Sequence, residues 1–440
     1  MKKLRIGVLG AMRGTSMIKY CLRAQNAQVV AVCDKWEPAL KKHQERHPDS
    51  GVTYYTSFDE FIRHDMDAVV LANYANEHAP FAIRCLRAGK HVYSEVLPCQ
   101  NMKEAVELVE AVEETGLIYA YGENFCYMPA PYEMRTLYRQ GKIGEFEYGE
   151  GEYIHNCEAI WHTLTYGDRN HWRNRMYANF YCTHSLGPII HITGLRPVSV
   201  VGFEGRKNER RMRGGALCGQ FGIEMVTLEN GGIVKSVHGD LYKNSYWFAV
   251  YGSKGRMESA REDADAMYVK KLYINADEYS GEYAKRPVEC REPQLTHPEL
   301  AKDFGHCGAD FYAMYNFVQK ALGAEDADTI GVYEALDMFL PGLFAYKSVL
   351  AGGIPMEIPD LRDRAQRDRW RNDTACTDPG AAGDMLWPCL STGDPQIPQE
   401  VYDRMREKYE YEMATNTGRV KAVFAQVEQK QTDASAADGN

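Results

Sequence analysis

Residues 4–16 read Leu4-Arg5-Ile6-Gly7-Val8-Leu9-Gly10-Ala11-Met12-Arg13-Gly14-Thr15-Ser16. A short apolar run ends in a glycine turn, and an Ala/Met/Ile segment of helical character follows. A strand that runs through a glycine-rich turn into a helix brings backbone N–H groups and a helix N-terminus close to a phosphate. The glycine spacing departs from G-x-G-x-x-G, because Met12 occupies the second glycine position and Gly14 falls one place early. The next apolar run, Ala27–Cys33, ends at Asp34, 24 residues after Gly10. An acid there is placed to bind ribose hydroxyls. It favours NAD over NADP, whose extra phosphate it would repel, although Lys35 softens that preference.

Outward from this turn, strand and helix patterns alternate. Strand patterns fall at Val52–Tyr55, Ala68–Ala72, His91–Tyr93 and Leu117–Tyr121. A helix pattern from Glu77 to Ala88 stops at Gly89. Another, Met102–Glu114, places Ala105, Leu108, Val109 and Val112 on one face, with Gly116 just past its end. Repeated strand–helix–strand units imply a parallel, doubly wound sheet with right-handed crossovers. Beyond about residue 125 the texture changes. Glu145–Ile154, Val198–Phe203, Trp247–Tyr251 and Ala266–Tyr273 read as strands, and Glu224–Leu228 with Gly231–Asp240 as a hairpin around Asn230-Gly231-Gly232. Helical patterns return at Asp310–Leu322, Thr329–Leu350 and Pro398–Ala414. The fold class expected is therefore α/β: an N-terminal Rossmann dinucleotide-binding domain, residues 1–123, and an α+β substrate domain with an open, mainly antiparallel sheet, residues 124–360. Residues 361–440 form a C-terminal extension, expected to be disordered from about 426 because large apolar residues are lacking there.

The whole chain has 440 residues, with Lys+Arg 51 against Asp+Glu 61 and a formal net charge of −10. That balance argues against nucleic acid as a partner. No apolar run approaches the ~18 residues that a membrane span needs. The N-terminus reads as a first strand and not as a signal peptide. The 12 cysteines contain no C-x-x-C pair, which fits reduced thiols in a cytoplasmic protein and no structural zinc. Nor do His155, His162, His171 and Glu158 have a metal-ligand spacing.

The block Ala88–Asn101 (AGKHVYSEVLPCQN) resembles the glucose–fructose oxidoreductase/inositol dehydrogenase/MocA (Gfo/Idh/MocA) family, and the resemblance runs from residue 1 to about 360. The dehydrogenases of that family carry Glu-Lys-Pro here, with the lysine assisting catalysis. This chain has Glu95-Val96-Leu97-Pro98, and the later Asp-x-Gly-x-His motif is also absent, with Ser185 and Ile189 at the corresponding positions. Other blocks take their place: Glu95-Val96, Glu123–Tyr127 (ENFCY), Gly149–His155 (GEGEYIH), His171-Trp172-Arg173, Tyr181–Pro188 (YCTHSLGP) and Gly305–Asp310 (GHCGAD). In this order they are similar to glycoside hydrolase family 109, whose members hydrolyse glycosides with a tightly held NAD. Cys307 and the shortened glycine loop mark a relative and not a close member.

The resemblance implies an unusual glycosidase that is not built on two flanking carboxylates. Hydride leaves sugar C3 for the cofactor, the resulting ketone acidifies the C2 proton, and the aglycone is eliminated. Water then adds back and the hydride returns, so the cofactor is recycled. The alternative is a net sugar or glycoside 3-dehydrogenase, and a third is a non-catalytic NAD-binding protein. His184 is the first candidate for the C3-hydroxyl base, since imidazole titrates near ~6.5. Tyr181 and Tyr153 are candidates for the C2 proton or for polarising the carbonyl, with His155 close by. Gly10, Met12, Arg13, Gly14, Asp34, Asn73, His78, Glu95, Asn124 and Trp172 are expected at the cofactor. Glu123, His155, Trp172, Arg173, His306 and Asp310 are expected at the substrate, a small-molecule glycoside. Arg169, Arg173 and Arg175 would suit an acidic sugar. The open sheet face would favour a homo-oligomer.

Overall fold

A computed structural model describes residues 3–207, 209–261, 271–276 and 288–415. Six strands, β1 (Leu4–Leu9), β2 (Ala27–Cys33), β3 (Thr53–Tyr55), β4 (Ala68–Leu71), β5 (His91–Ser94) and β6 (Tyr119–Tyr121), form a parallel sheet in the order β3-β2-β1-β4-β5-β6. All four residues of β4 are buried, as expected for a strand covered by helices on both faces. The chain reverses direction across the sheet between β1 and β4, whose ends pair Leu9 with Leu71. In open α/β sheets the ligand crevice lies at this switch point, outside the carboxyl ends of the strands. The helix Met102–Thr115 follows its own signals. Asn101 caps it by accepting from Glu104 N–H at 3.0 Å, and Gly116 ends it in the left-handed conformation.

The second sheet has nine strands: β7 (Phe146–Ile154), β8 (Pro197–Glu204), β9 (Phe221–Leu228), β10 (Ile233–Gly239), β11 (Ser245–Gly252), β12 (Gly255–Ser259), β13 (Leu272–Asn275), β14 (Glu289–Arg291) and β15 (Met356–Glu357). They lie in the order β14-β13-β12-β11-β7-β10-β9-β8-β15. Every neighbouring pair is antiparallel except β7 with β10. The hairpin read around Asn230-Gly231-Gly232 is the β9–β10 turn. The short strands β12, β14 and β15 escape the sequence pattern. Of the strand read at Ala266–Tyr273, residues 266–270 lie outside the described residues, as does the tail from 426.

The helices Cys182–Thr193 and Val332–Leu350 cover one face of this sheet, and the core runs continuously from one sheet to the other. A Cβ at Gly151 on β7 would collide with the Ser185 carbonyl. Glycine there lets the first turn of Cys182–Thr193 lie directly on the strand. This close approach puts His184 beside Tyr153, with ring centroids 4.6 Å apart.

Residues 361–415 fold back over both sheets. The helix Arg364–Trp370 docks on Met102–Thr115, with Arg367 to Glu113 at 2.6 Å and Arg371 to Glu110 at 2.7 Å just beyond it. Asn76 beside β4 donates to Asp378 at 3.0 Å. The helix Gln399–Thr415 seats Tyr402 against Gly215, its hydroxyl donating to the carbonyl at 3.0 Å. Among the described residues no helix is long and apolar enough to cross a membrane.

Candidate active site

A cavity of about 1050 Å³ opens between the carboxyl ends of β1, β2, β4 and β5 and the inner end of the second sheet. At one end Gly10 adopts a φ of 97°, and any side chain there would strike the Ala72 carbonyl. Only glycine makes this turn without strain. Asp34 ties the loop down: its carboxylate accepts from the Ala11 N–H at 2.8 Å and from the Trp36 N–H at 2.8 Å. Gly10, Met12, Arg13, Asp34, Asn73, His78, Glu95, Asn124 and Trp172 all line the cavity. The amide oxygens of Asn73 and Asn124 and the Trp172 indole N–H are buried in this wall with no hydrogen-bond partner. Buried polar atoms are rarely left so. A glycine cradle, an acid at the end of β2 and unsatisfied amides fit a dinucleotide such as NAD.

One expectation is corrected here, and two residues expected at the cofactor carry further roles. Gly14 does not line the cavity. It closes the turn through its N–H to the Gly10 carbonyl at 3.0 Å. Arg13 lines the cavity, but four of its hydrogen bonds go to Glu95 and Asp310, at 2.9 to 3.1 Å. It therefore binds the glycine loop to the end of β5 and to the helix Ala309–Ala321, instead of facing a cofactor alone. His78 lies at the wall with its Nδ1 on the Leu97 carbonyl at 3.0 Å, and burial pushes it down to about 4. It acts as a neutral brace.

Farther along the same cavity His184, Tyr181, Tyr153, His155, Trp172 and Arg173 come together, while His306 lines it beside Asp310 and Arg13. His184 sits in the first turn of its helix and is stacked on Tyr181, with centroids 5.4 Å apart and rings 14° from parallel. Its Nδ1 meets the Glu123 carboxylate at 2.6 Å. Glu123 is fully buried and does not line the cavity. The expectation that it touches substrate is thus corrected: its carboxylate is held on His184 Nδ1 instead. This arrangement orients the ring and leaves Nε2 for a reacting hydroxyl. Tyr181 accepts from Arg173 Nη1 at 3.2 Å. Burial raises its phenol, with Arg173 opposing. Tyr153 contacts His155 Nδ1 at 3.1 Å, and burial holds its phenol well above the usual range.

Asp310 also lies outside the cavity lining. Its carboxylate is consumed by Arg13 and by His306 Nδ1 at 2.9 Å. Burial works against its charge, yet Arg13 and His306 outweigh burial and hold it well below the usual carboxylate range. It anchors His306, which does face the cavity. Glu95, in contrast, is pushed up to about 6 by burial despite Arg13. Of the three arginines suited to an acidic sugar, only Arg173 reaches the cavity, its guanidinium 4.4 Å from the Trp172 ring. Arg175 donates to the Thr377 carbonyl at 2.8 Å, and Arg169 stacks on Tyr402 at 5.6 Å.

Several wall residues escaped the sequence reading. Tyr74 and Tyr166 close on His171 edge-on, at 5.1 and 5.8 Å. Tyr409, from the C-terminal helix, packs on Tyr166 at 5.0 Å and completes the wall. Cys157, Arg211 and Asp240 form another stretch of it. Only His171, inside a quoted block, carried a signal.

The two domains and the shared cavity define a nucleotide-binding enzyme of oxidoreductase architecture. Residues 4–123 match the profile of the Gfo/Idh/MocA oxidoreductase family, NAD-binding Rossmann fold. The chain is 26% identical over 84% of its length to a glycosyl hydrolase family 109 protein of Solibacter usitatus, covering 89% of that protein. It is 24% identical to one of Saccharopolyspora erythraea, over 84% of each chain. Among solved structures it is similar to an oxidoreductase from Agrobacterium radiobacter in complex with NAD+, L-tartaric acid and magnesium. There the TM-score is 0.63 at 14% identity, over 81% of this chain and 98% of the other.

Proposed function

We propose that the protein is a glycoside hydrolase that holds NAD tightly and cleaves its substrate with no net oxidation. The observation that carries this reading is His184, held by buried Glu123 at 2.6 Å and facing the same cavity as the Gly10 and Asp34 cradle. Similarity to family 109 proteins along most of the chain supports it. Bound NAD would supply a reversible hydride acceptor at sugar C3. The chain supplies the rest. His184 takes the C3-hydroxyl proton at Nε2, and Glu123 offsets the charge that then appears on the ring. Tyr181, kept protonated by burial, donates to the oxygen at C3 as it becomes a carbonyl. Tyr153 passes its phenolic proton to His155 Nδ1, 3.1 Å away, as its oxygen takes the proton from C2 and the aglycone departs from C1; the relay runs in reverse after water has added at C1. Trp172 and Arg173 present an apolar face and N–H donors to the ring.

The test uses the protein as isolated, with no NAD added, and a panel of α- and β-aryl glycosides in D₂O. The expected result is aryl release with deuterium at sugar C2, no accumulating NADH, and loss of activity once the cofactor is stripped. NADH formed only with free NAD, without aryl release, would make the protein a net 3-dehydrogenase. Cleavage that survives stripping would reduce it to an ordinary acid–base glycosidase.

A further inference from the structure

The wall opposite the glycine loop holds a group that the proposed reaction does not use. Cys157 lies 3 residues after the end of β7 and lines the cavity. Its Sγ is 3.4 Å from His155 Nδ1, the same nitrogen that meets the Tyr153 hydroxyl. Arg211 lies in the same wall and is itself held by Asp240 through Nε at 2.5 Å. The charged and titratable groups facing the thiol are thus His155 just after β7, Arg211 from the short helix Glu209–Met212, Asp240 after β10, and the phenols of Tyr153, Tyr181 and Tyr246. Burial opposes a thiolate here, but His155 and Arg211 outweigh burial and hold the Cys157 thiol below its ordinary value. His155 moves the opposite way: burial works to lower it, and Cys157 outweighs burial to raise it. The thiols of Cys21, Cys85, Cys99, Cys126 and Cys182 are, by contrast, pushed up by burial in the core.

A sulfur that shares a proton with an imidazole, next to a guanidinium and open to a cavity, is the environment that makes cysteine nucleophilic. We propose that Cys157 is a covalent modification site for small conjugate acceptors, α,β-unsaturated carbonyl compounds that enter the cavity. In the reaction the Sγ electron pair forms the C–S bond at the β-carbon, and the α-carbon takes a proton from His155 or water. No leaving group and no redox partner are required. The adduct would occupy the sugar end of the cavity, within reach of Tyr153 and His155, so modification would block substrate. The inference does not rest on the glycosidase reading, because it concerns the thiol and its neighbours alone.

The experiment labels the folded protein, as isolated, with substoichiometric N-ethylmaleimide from pH 5.5 to 10, a range that contains the midpoint of an ordinary thiol, at ~8.5 or above. Peptide mass spectrometry reads each cysteine, and N-acetylcysteine in the same tube is the reference. Cys157 is expected to take the label in the folded protein, with a rate midpoint clearly below that of the reference thiol. In His155→Asn the midpoint should rise toward the reference. Absence of label at Cys157 until the protein is unfolded would overturn the proposal. So would a midpoint in the parent protein equal to that of the reference, and this parent measurement decides even if the variant fails to fold. An unchanged midpoint in a folded His155→Asn protein would also overturn it.

Discussion

Replacing Glu123 with Gln separates charge from shape at the His184 pair. In the parent protein one carboxylate oxygen accepts both the His184 Nδ1–H at 2.6 Å and the Phe125 N–H at 3.2 Å. A glutamine oxygen of the same reach can accept both, so the ring keeps its tautomer and its position. What disappears is a negative charge about 4 Å from the imidazole, worth about 4 kcal/mol at an effective dielectric constant of ~20. That attraction matters only once His184 has taken a proton, so it enters the transition state and not the ground state. At about 1.4 kcal/mol per factor of ten, the loss corresponds to about 10²–10³ in rate. The new amide N–H₂ would replace an oxygen that is buried without a partner, costing about 1–3 kcal/mol of stability. The rate is therefore measured well below the thermal transition. Single-turnover hydride transfer to bound NAD, read at 340 nm with saturating glycoside, is the assay. Hydrolysis and net dehydrogenation both begin with this proton transfer, so the test holds for either. The expected outcome is a rate lower by about 10²–10³ with unchanged NAD content and unchanged half-saturation. A rate within about threefold of the parent would show that His184 does not become charged in the step and would refute its assignment as the base.

Three further outcomes are expected. His184→Ala should abolish turnover while the purified protein retains its NAD, and activity within about tenfold of the parent would move the base elsewhere. Asp34→Ala should lower NAD retention, measured by cofactor content after gel filtration; unchanged content would move the ribose contact off β2. Glu224, fully buried on β9, is pushed up to about 8 by burial, with Asn179 opposing. Its folded form holds a proton that the unfolded chain releases near ~4.5, so stability falls as pH rises between about 4.5 and 8. In urea titrations at pH 5 and pH 8 that decline should be smaller in Glu224→Gln, and an equal decline in both proteins would contradict it.

The parallel sheet was legible because its signals are local. Each buried strand is a short apolar run, each helix has a face and a stop, and Gly10 and Asp34 stand at the ends of consecutive strands. The second sheet was legible where strands are long enough to alternate, and illegible at β12, β14 and β15, of 5, 3 and 2 residues. Two or three residues show no period, and such strands exist only because a neighbour supplies the ladder.

For the candidate site, the sequence by itself determined which residue types gather: His184, Tyr181, Tyr153, His155, Trp172, Arg173 and His306 occur in recognisable blocks and do meet in one cavity. It did not determine which way each faces. Glu123 and Asp310 read as substrate ligands, yet the folded chain turns one toward His184 and the other toward Arg13. Arg13 lies 82 residues from Glu95 and 297 from Asp310, and the C-terminal wall residue Tyr409 lies far beyond the blocks that carry the resemblance. Contacts at such separations leave no periodicity in the chain. They are decided by which helix settles on which strand, as at Gly151 beneath Ser185, and by the cost of burying a charge, which is low enough only when an opposite charge arrives from another element.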